Sequence, residues 1–141
     1  RRPGLHPVGR LDMDSRGLLL LTDDGELTNR LTHPRYEKEK EYLAQLDRPL
    51  APADKQRFEA GLELEDGLTY PTKVADVSLR PPLYRVILHE GRKRQIRRMF
   101  QSLGYHVRDL KRTRMGSLRL GTLKEGEVRE LAKTELKMLV G

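Results

Sequence analysis

Asp12 stands in a polar stretch, Gly9-Arg10-Leu11-Asp12-Met13-Asp14-Ser15-Arg16-Gly17, that runs straight into four leucines. A carboxylate fixed by a core element can act as a nucleophile or a general base. Asp14 lies two residues on, so in an extended loop the two carboxylates would point the same way. Such a pair would suit glycoside hydrolysis. The plainer reading makes each aspartate a turn or cap residue, with Ser15 bonding the backbone.

Other chemistries find less support. His6, His33, His89 and His106 are scattered, without the short spacings of metal ligands, so no metal site is expected. Gly91-Arg92-Lys93-Arg94 lacks the spacing of a phosphate-cradling loop, and no serine sits in a nucleophile elbow. The absence of cysteine excludes disulfides, thiolate catalysis and cysteine-ligated zinc. Two further features are positive. Tyr42 follows Lys40 on an alternating segment, where its ring could stack on a splayed base or simply cover the sheet. Arg97 adjoins the apolar Ile96, so its guanidinium could lie partly inside and need a carboxylate such as Asp12.

Charge is concentrated in one segment. Residues 80–119 hold twelve Lys/Arg against two acidic residues, whereas the other 101 hold sixteen against nineteen, within a net charge of +7. Clustering of this kind points to a polyanion, most often nucleic acid, in preference to a solubility surface of mixed sign.

The positioning elements follow from pattern. Residues 1–17 read as loop and 18–22 as a buried strand. Asp24 caps a helix over 26–32 that buries Leu27 and Leu31, and His33-Pro34 ends it. A strand over 38–47 puts Tyr42, Ala44 and Leu46 on one side. Pro52 opens a helix over 52–60 that Gly61 closes. Residues 62–64, 73–79 and 84–89 read as strands. Ile96, Met99, Phe100 and Leu103 form one helical face closed by Gly104. Residues 107–114 are extended, Leu118 to Leu123 form a short strand and turn, 128–131 is a last strand, and Thr134 caps a final helix. Connections too short for parallel crossovers predict an α+β domain with a mainly antiparallel mixed sheet and flanking short helices. No run approaches ~18 apolar residues, so no membrane span is expected. No apolar stretch of signal-peptide length follows the charged start, and a cytoplasmic monomer is the expectation.

Several separated segments together resemble the RsuA-like family of ribosomal RNA pseudouridine synthases. They are Gly9-Arg10-Leu11-Asp12-Met13-Asp14-Ser15-Arg16-Gly17-Leu18-Leu19-Leu20-Leu21-Thr22 with Asp24-Gly25-Glu26-Leu27, then Leu31-Thr32-His33-Pro34 leading to Lys38-Glu39-Lys40-Glu41-Tyr42. Next comes Glu90-Gly91-Arg92-Lys93-Arg94-Gln95-Ile96-Arg97-Arg98-Met99, and last a run through Leu110, Arg112, Arg114, Gly116, Leu118, Gly126 and Glu127 to Arg129 and Leu131. The resemblance covers nearly the whole chain in order. It implies a pseudouridine synthase-like catalytic domain over 1–141 that isomerises a uridine of ribosomal RNA, with no cofactor and no metal. It implies Asp12 as the catalytic aspartate, Tyr42 stacking on the target base, Arg97 paired with Asp12, Leu110 in the pocket floor and Arg10 on the substrate. Arg92, Lys93, Arg94, Arg98, Lys111 and Arg112 would hold the RNA backbone. The family usually has threonine where Ser15 stands. Its catalytic domain begins with a strand upstream of Arg1, and many members carry a separate RNA-binding domain before it; both are expected to be missing here. The form Arg94-Gln95-Ile96-Arg97-Arg98 looks more like the large-subunit members. Two alternatives stay open: a non-catalytic RNA-binding domain on the same scaffold, and a glycosidase using Asp12 and Asp14.

Overall fold

The computed structural model describes residues 4–33, 36 and 38–140. The chain runs β1 (His6–Pro7), β2 (Arg16–Gly17), β3 (Leu21–Thr22), α1 (Gly25–Thr32), β4 (Lys40–Leu46), α2 (Pro52–Ala60), β5 (Glu63–Leu64) and β6 (Gly67–Leu68). It continues through β7 (Lys73–Leu79), β8 (Pro82–Leu88), α3 (Gln95–Ser102), β9 (Val107–Met115), β10 (Leu118–Arg119) and α4 (Lys133–Val140). The main sheet has the order β10-β9-β4-β8-β7, all antiparallel, and β2 joins β9 in parallel. The α+β class and the mainly antiparallel sheet are therefore as expected.

β4 is the centre, flanked by β8 and β9. Its alternation works as predicted: Ala44 and Leu46 are buried, and Tyr42 packs against the same cluster. That cluster includes Phe58 of α2 and Phe100 of α3, whose rings lie 4.4 Å apart between centroids. α2 lacks a capping side chain. Two buried tyrosines instead fix the chain just before it: the Tyr84 hydroxyl accepts from the Leu50 N–H at 2.7 Å, and the Tyr105 hydroxyl accepts from the Ala51 N–H at 3.0 Å. A second cluster joins Val8, Leu18, Leu20 and Leu31 to Met115, Leu118 and Leu139, and so fastens the N-terminal segment to the far edge of the sheet.

Four expectations need correction. Residues 18–22 are not one buried strand: Leu18 and Leu20 point inward, Leu19 and Leu21 outward, and only Leu21–Thr22 pairs, with His6–Pro7. Residues 1–17 are not wholly loop, since His6–Pro7 and Arg16–Gly17 both form short strands. Residues 128–131 form no strand; Val128 is 86% exposed and has no strand partner among the described residues. Thr134 lies inside α4 and does not cap it.

Candidate active site

The segment carrying Asp12 is clamped at both ends. On one side the Val8 N–H donates to the Leu20 carbonyl at 2.8 Å. On the other, Arg16 and Gly17 lie alongside Lys111 and Arg112 of β9. Gly17 adopts φ +112°, and a Cβ there would collide with the Arg112 backbone, so this approach requires glycine. Arg16 adds a carboxylate clasp to Asp109, with Nη2 to Oδ2 at 2.7 Å. From below, the buried Arg112 side chain donates through Nε to the Leu18 carbonyl at 2.9 Å and through Nη1 to the Arg10 carbonyl at 3.4 Å.

Between these anchors the chain reverses. The Ser15 N–H donates to the Asp12 carbonyl at 2.9 Å, closing a four-residue turn. Asp12 and Asp14 therefore do not face one way. Asp14 turns to α3: Arg94 donates to both carboxylate oxygens at 2.8 and 2.9 Å, and Arg97 Nη2 donates to the Asp14 carbonyl at 2.7 Å. The Arg94 guanidinium holds the Asp14 carboxyl below the usual carboxylate range. Asp12 turns instead into a cleft of about 710 Å³. The expected Arg97–Asp12 pair is thus replaced by Arg97–Asp14, with Arg97 Nε 3.6 Å from Asp14 Oδ2. The reversal also separates the two carboxylates that a glycosidase would need in one cleft.

Of the predicted site residues, Arg10, Asp12, Tyr42, Arg92, Lys93, Arg94, Leu110 and Arg112 line this cleft. Arg97, Arg98 and Lys111 do not. Arg98 is drawn to Asp66, donating at 2.9 and 3.0 Å, which pulls the Asp66 carboxyl down to about 2. Lys111 of β9 lies between Leu43 of β4 and Arg16 of β2. Arg112 is 2% exposed, so it is an internal brace and not a surface contact for RNA backbone. Arg92 is committed internally too, to Glu90 at 3.0 Å and to the Gly67 carbonyl at 2.9 Å. Lys93 and Arg10 remain exposed at the rim.

Three features of the site escaped sequence reasoning. Glu90 accepts from the Tyr70 N–H and from Gln95 Nε2, both at 2.8 Å, and so ties α3 to the segment after β6. His89 lines the cleft with Nε2 2.9 Å from the Glu39 carboxylate. Lys40 also lines it; burial, reinforced by the Arg112 charge, pushes its ammonium below the ordinary lysine range. The signal for Lys40 was available, since it is two residues from Tyr42 on one strand. Among the described residues, no cluster of three or more His, Cys, Asp or Glu side chains could hold a metal ion.

Comparison with known proteins decides the family. The family model for RNA pseudouridylate synthase matches residues 1–102. The chain belongs to the RNA pseudouridylate synthase family. It is 44% identical over 140 residues to ribosomal large subunit pseudouridine synthase B of Bacillus subtilis (strain 168), covering 96% of this chain and 57% of that protein. It is 40% identical over 139 residues to ribosomal small subunit pseudouridine synthase A of Escherichia coli (strain K12), covering 96% and 59%. A crystal structure of a pseudouridylate synthase superposes with a TM-score of 0.91 at 37% identity, over 96% of this chain and 60% of that one. The chain therefore spans little more than half the length of these pseudouridine synthases, and the RsuA-like resemblance of its motifs agrees with both named relatives.

Proposed function

We propose that residues 1–141 act as a catalytic domain that isomerises a specific uridine of ribosomal RNA, of the large subunit, to pseudouridine. One observation carries this reading. In a chain of the pseudouridylate synthase family, Asp12 and Tyr42 line one cleft. The large-subunit assignment rests on the Arg94-Gln95-Ile96-Arg97-Arg98 form and on the similarity to the large-subunit enzyme of Bacillus subtilis.

The chemistry suits the residues. The glycosidic bond of a stacked uridine is out of reach, so the nucleotide must be flipped into the cleft. Tyr42 offers its ring to the extruded base, and Leu110 supplies an apolar floor. Asp12, ionised, either bonds to C1′ of the ribose or removes a ribose proton; the base detaches, turns and rejoins through C5. The reaction exchanges one C–N bond for one C–C bond within a nucleotide and balances without a co-substrate. Arg10 and Lys93, exposed at the rim, are suited to the phosphates on either side.

Tritium release from ribosomal RNA carrying 5-tritiated uridine tests the proposal in the full chain. Wild type is expected to release tritium, and Asp12→Asn to bind RNA with unchanged affinity and release none. Equal release by Asp12→Asn sinks the catalytic assignment. Binding by wild type without any release favours a non-catalytic RNA-binding domain.

A further inference from the structure

Lys40 and Arg112 present an electrostatic arrangement that the roles above leave unused. Arg112 is 2% exposed, and its Nη2 is buried without a hydrogen-bond partner. Lys40 is half-buried, and among the described residues its ammonium has no hydrogen bond or ion pair. Both line the cleft that holds Asp12 and Tyr42. Buried cations are normally matched by anions, because desolvation costs several kcal/mol per charge. Among the described residues the cleft offers no match. The Glu90 oxygens are occupied by Arg92, Gln95 and the Tyr70 N–H, and Asp66 is taken by Arg98. Among the described residues, Asp12 forms no ion pair with either cation. The backbone makes room for the ammonium: a Cβ on Gly91 would stand 2.9 Å from Lys40 Nζ.

The proposed isomerisation produces an anion in this cleft. When C1′–N1 breaks, its electron pair stays on N1, and the detached uracil carries one negative charge spread over N1 and the ring carbonyls. The sugar is left either as an ester of Asp12 or, after yielding a proton to Asp12, as an unsaturated sugar. The charge passes back to Asp12 when C5 bonds to C1′: on the ester route the Asp12–C1′ bond breaks, on the elimination route Asp12 returns its proton to C2′, and in both C5 then gives up its proton and N1 takes one. On either route the base is a monoanion while it turns. Lys40 sits two residues from Tyr42 on β4, on the side that faces the cleft, where a base stacked on that ring would lie.

We infer that Lys40, which shares the cleft lining with the buried Arg112, is the binding site for the uracil anion between detachment and re-attachment. This rests on the proposed function and adds a charge-stabilising residue to it. A fixed cation of this kind lowers the barrier to C1′–N1 cleavage and keeps the free base from escaping.

Single-turnover tritium release and RNA affinity, measured together on the full chain, test the inference. Lys40→Met keeps the length of the side chain and removes the charge. It is expected to slow release by about 10²- to 10³-fold, as loss of one charge-stabilising donor does, with RNA affinity within about twofold. Lys40→Arg is expected to recover much of the rate, and Gly91→Ala, which keeps the lysine but displaces Nζ, to lose a smaller part of it. If Lys40→Met instead binds RNA more weakly, with a shallower salt dependence and an unchanged turnover rate, Lys40 holds a phosphate and the inference fails. An active wild type with an unimpaired Lys40→Met overturns this inference alone. A wild type that releases no tritium overturns the proposed function and this inference with it.

Discussion

Under the proposed function, Asp14 would matter to the chemistry without lining the cleft. It receives Arg94 on its carboxylate and Arg97 on its carbonyl, and so fixes the turn from which Asp12 projects. Arg94 adopts φ 52°, which is unfavourable for a side chain of its size and persists because the surroundings determine it. Asp14→Asn removes the charge that holds Arg94 and attracts Arg97, while the carbonyl that accepts from Arg97 remains. Turnover is expected to fall by roughly 10²-fold, since small displacements of a reacting group carry that cost. Its melting temperature should change little, because the Arg94–Asp14 pair is half exposed. The sign with pH is definite: Asp14 has its carboxyl lowered from 3.8 by Arg94, so the clasp is intact above that value and is lost only as pH falls below it. Turnover measured down to pH 4.5 should therefore show no acid limb belonging to Asp14. The sequence could not reveal this division of labour, because Asp12 and Asp14 are the same residue type in the same motif. Only the Ser15-to-Asp12 hydrogen bond sends them apart.

At the scale of elements, the parallel pairing of β2 with β9 is what carries the site onto the sheet. Gly17→Ala forces a Cβ into the Arg112 backbone at a positive φ. The strain alone is of the order of 1–3 kcal/mol, and urea denaturation should show at least that loss of stability. Activity should fall further than the unfolded fraction explains, because Arg112 also braces Leu18 and Arg10. Gly121, at φ +58° with open space around it, serves as the control: Gly121→Ala should be milder. Much of the architecture was legible where residue type and period agreed. β4 announced its inner face through Ala44 and Leu46, α1 its cap through Asp24, and α3 its buried side through Ile96, Met99 and Phe100. Four successive leucines concealed their own alternation, since a uniform run carries no period. Pairings such as β1 with β3 and β2 with β9 are only two residues long. Their strength comes from tertiary anchoring that no local pattern records.

For the molecule as a whole, the charge excess of residues 80–119 overstates the free positive charge that the folded chain presents. Arg92, Arg98 and Arg114 are paired with Glu90, Asp66 and Glu39, and Arg94 and Arg97 with Asp14. Acidic residues, most of them from outside the segment, thus neutralise a stretch that looks strongly basic in the sequence. At the cleft these guanidinium groups fix loops, and few cations there are left unpaired among the described residues. Arg10 and Lys93 are exposed at its rim, with no acidic partner among the described residues. The salt dependence of RNA binding separates the two classes. Each phosphate contact contributes about 0.7 to 0.9 to the slope of log K against log salt. Lys93→Ala and Arg10→Ala should each lower the slope by about that amount. Arg98→Ala should leave it unchanged, because that arginine is already held by Asp66 at 2.9 Å. A drop of equal size in all three variants would mean that RNA displaces Asp66, and that the whole basic segment, not only its unpaired members, faces the substrate.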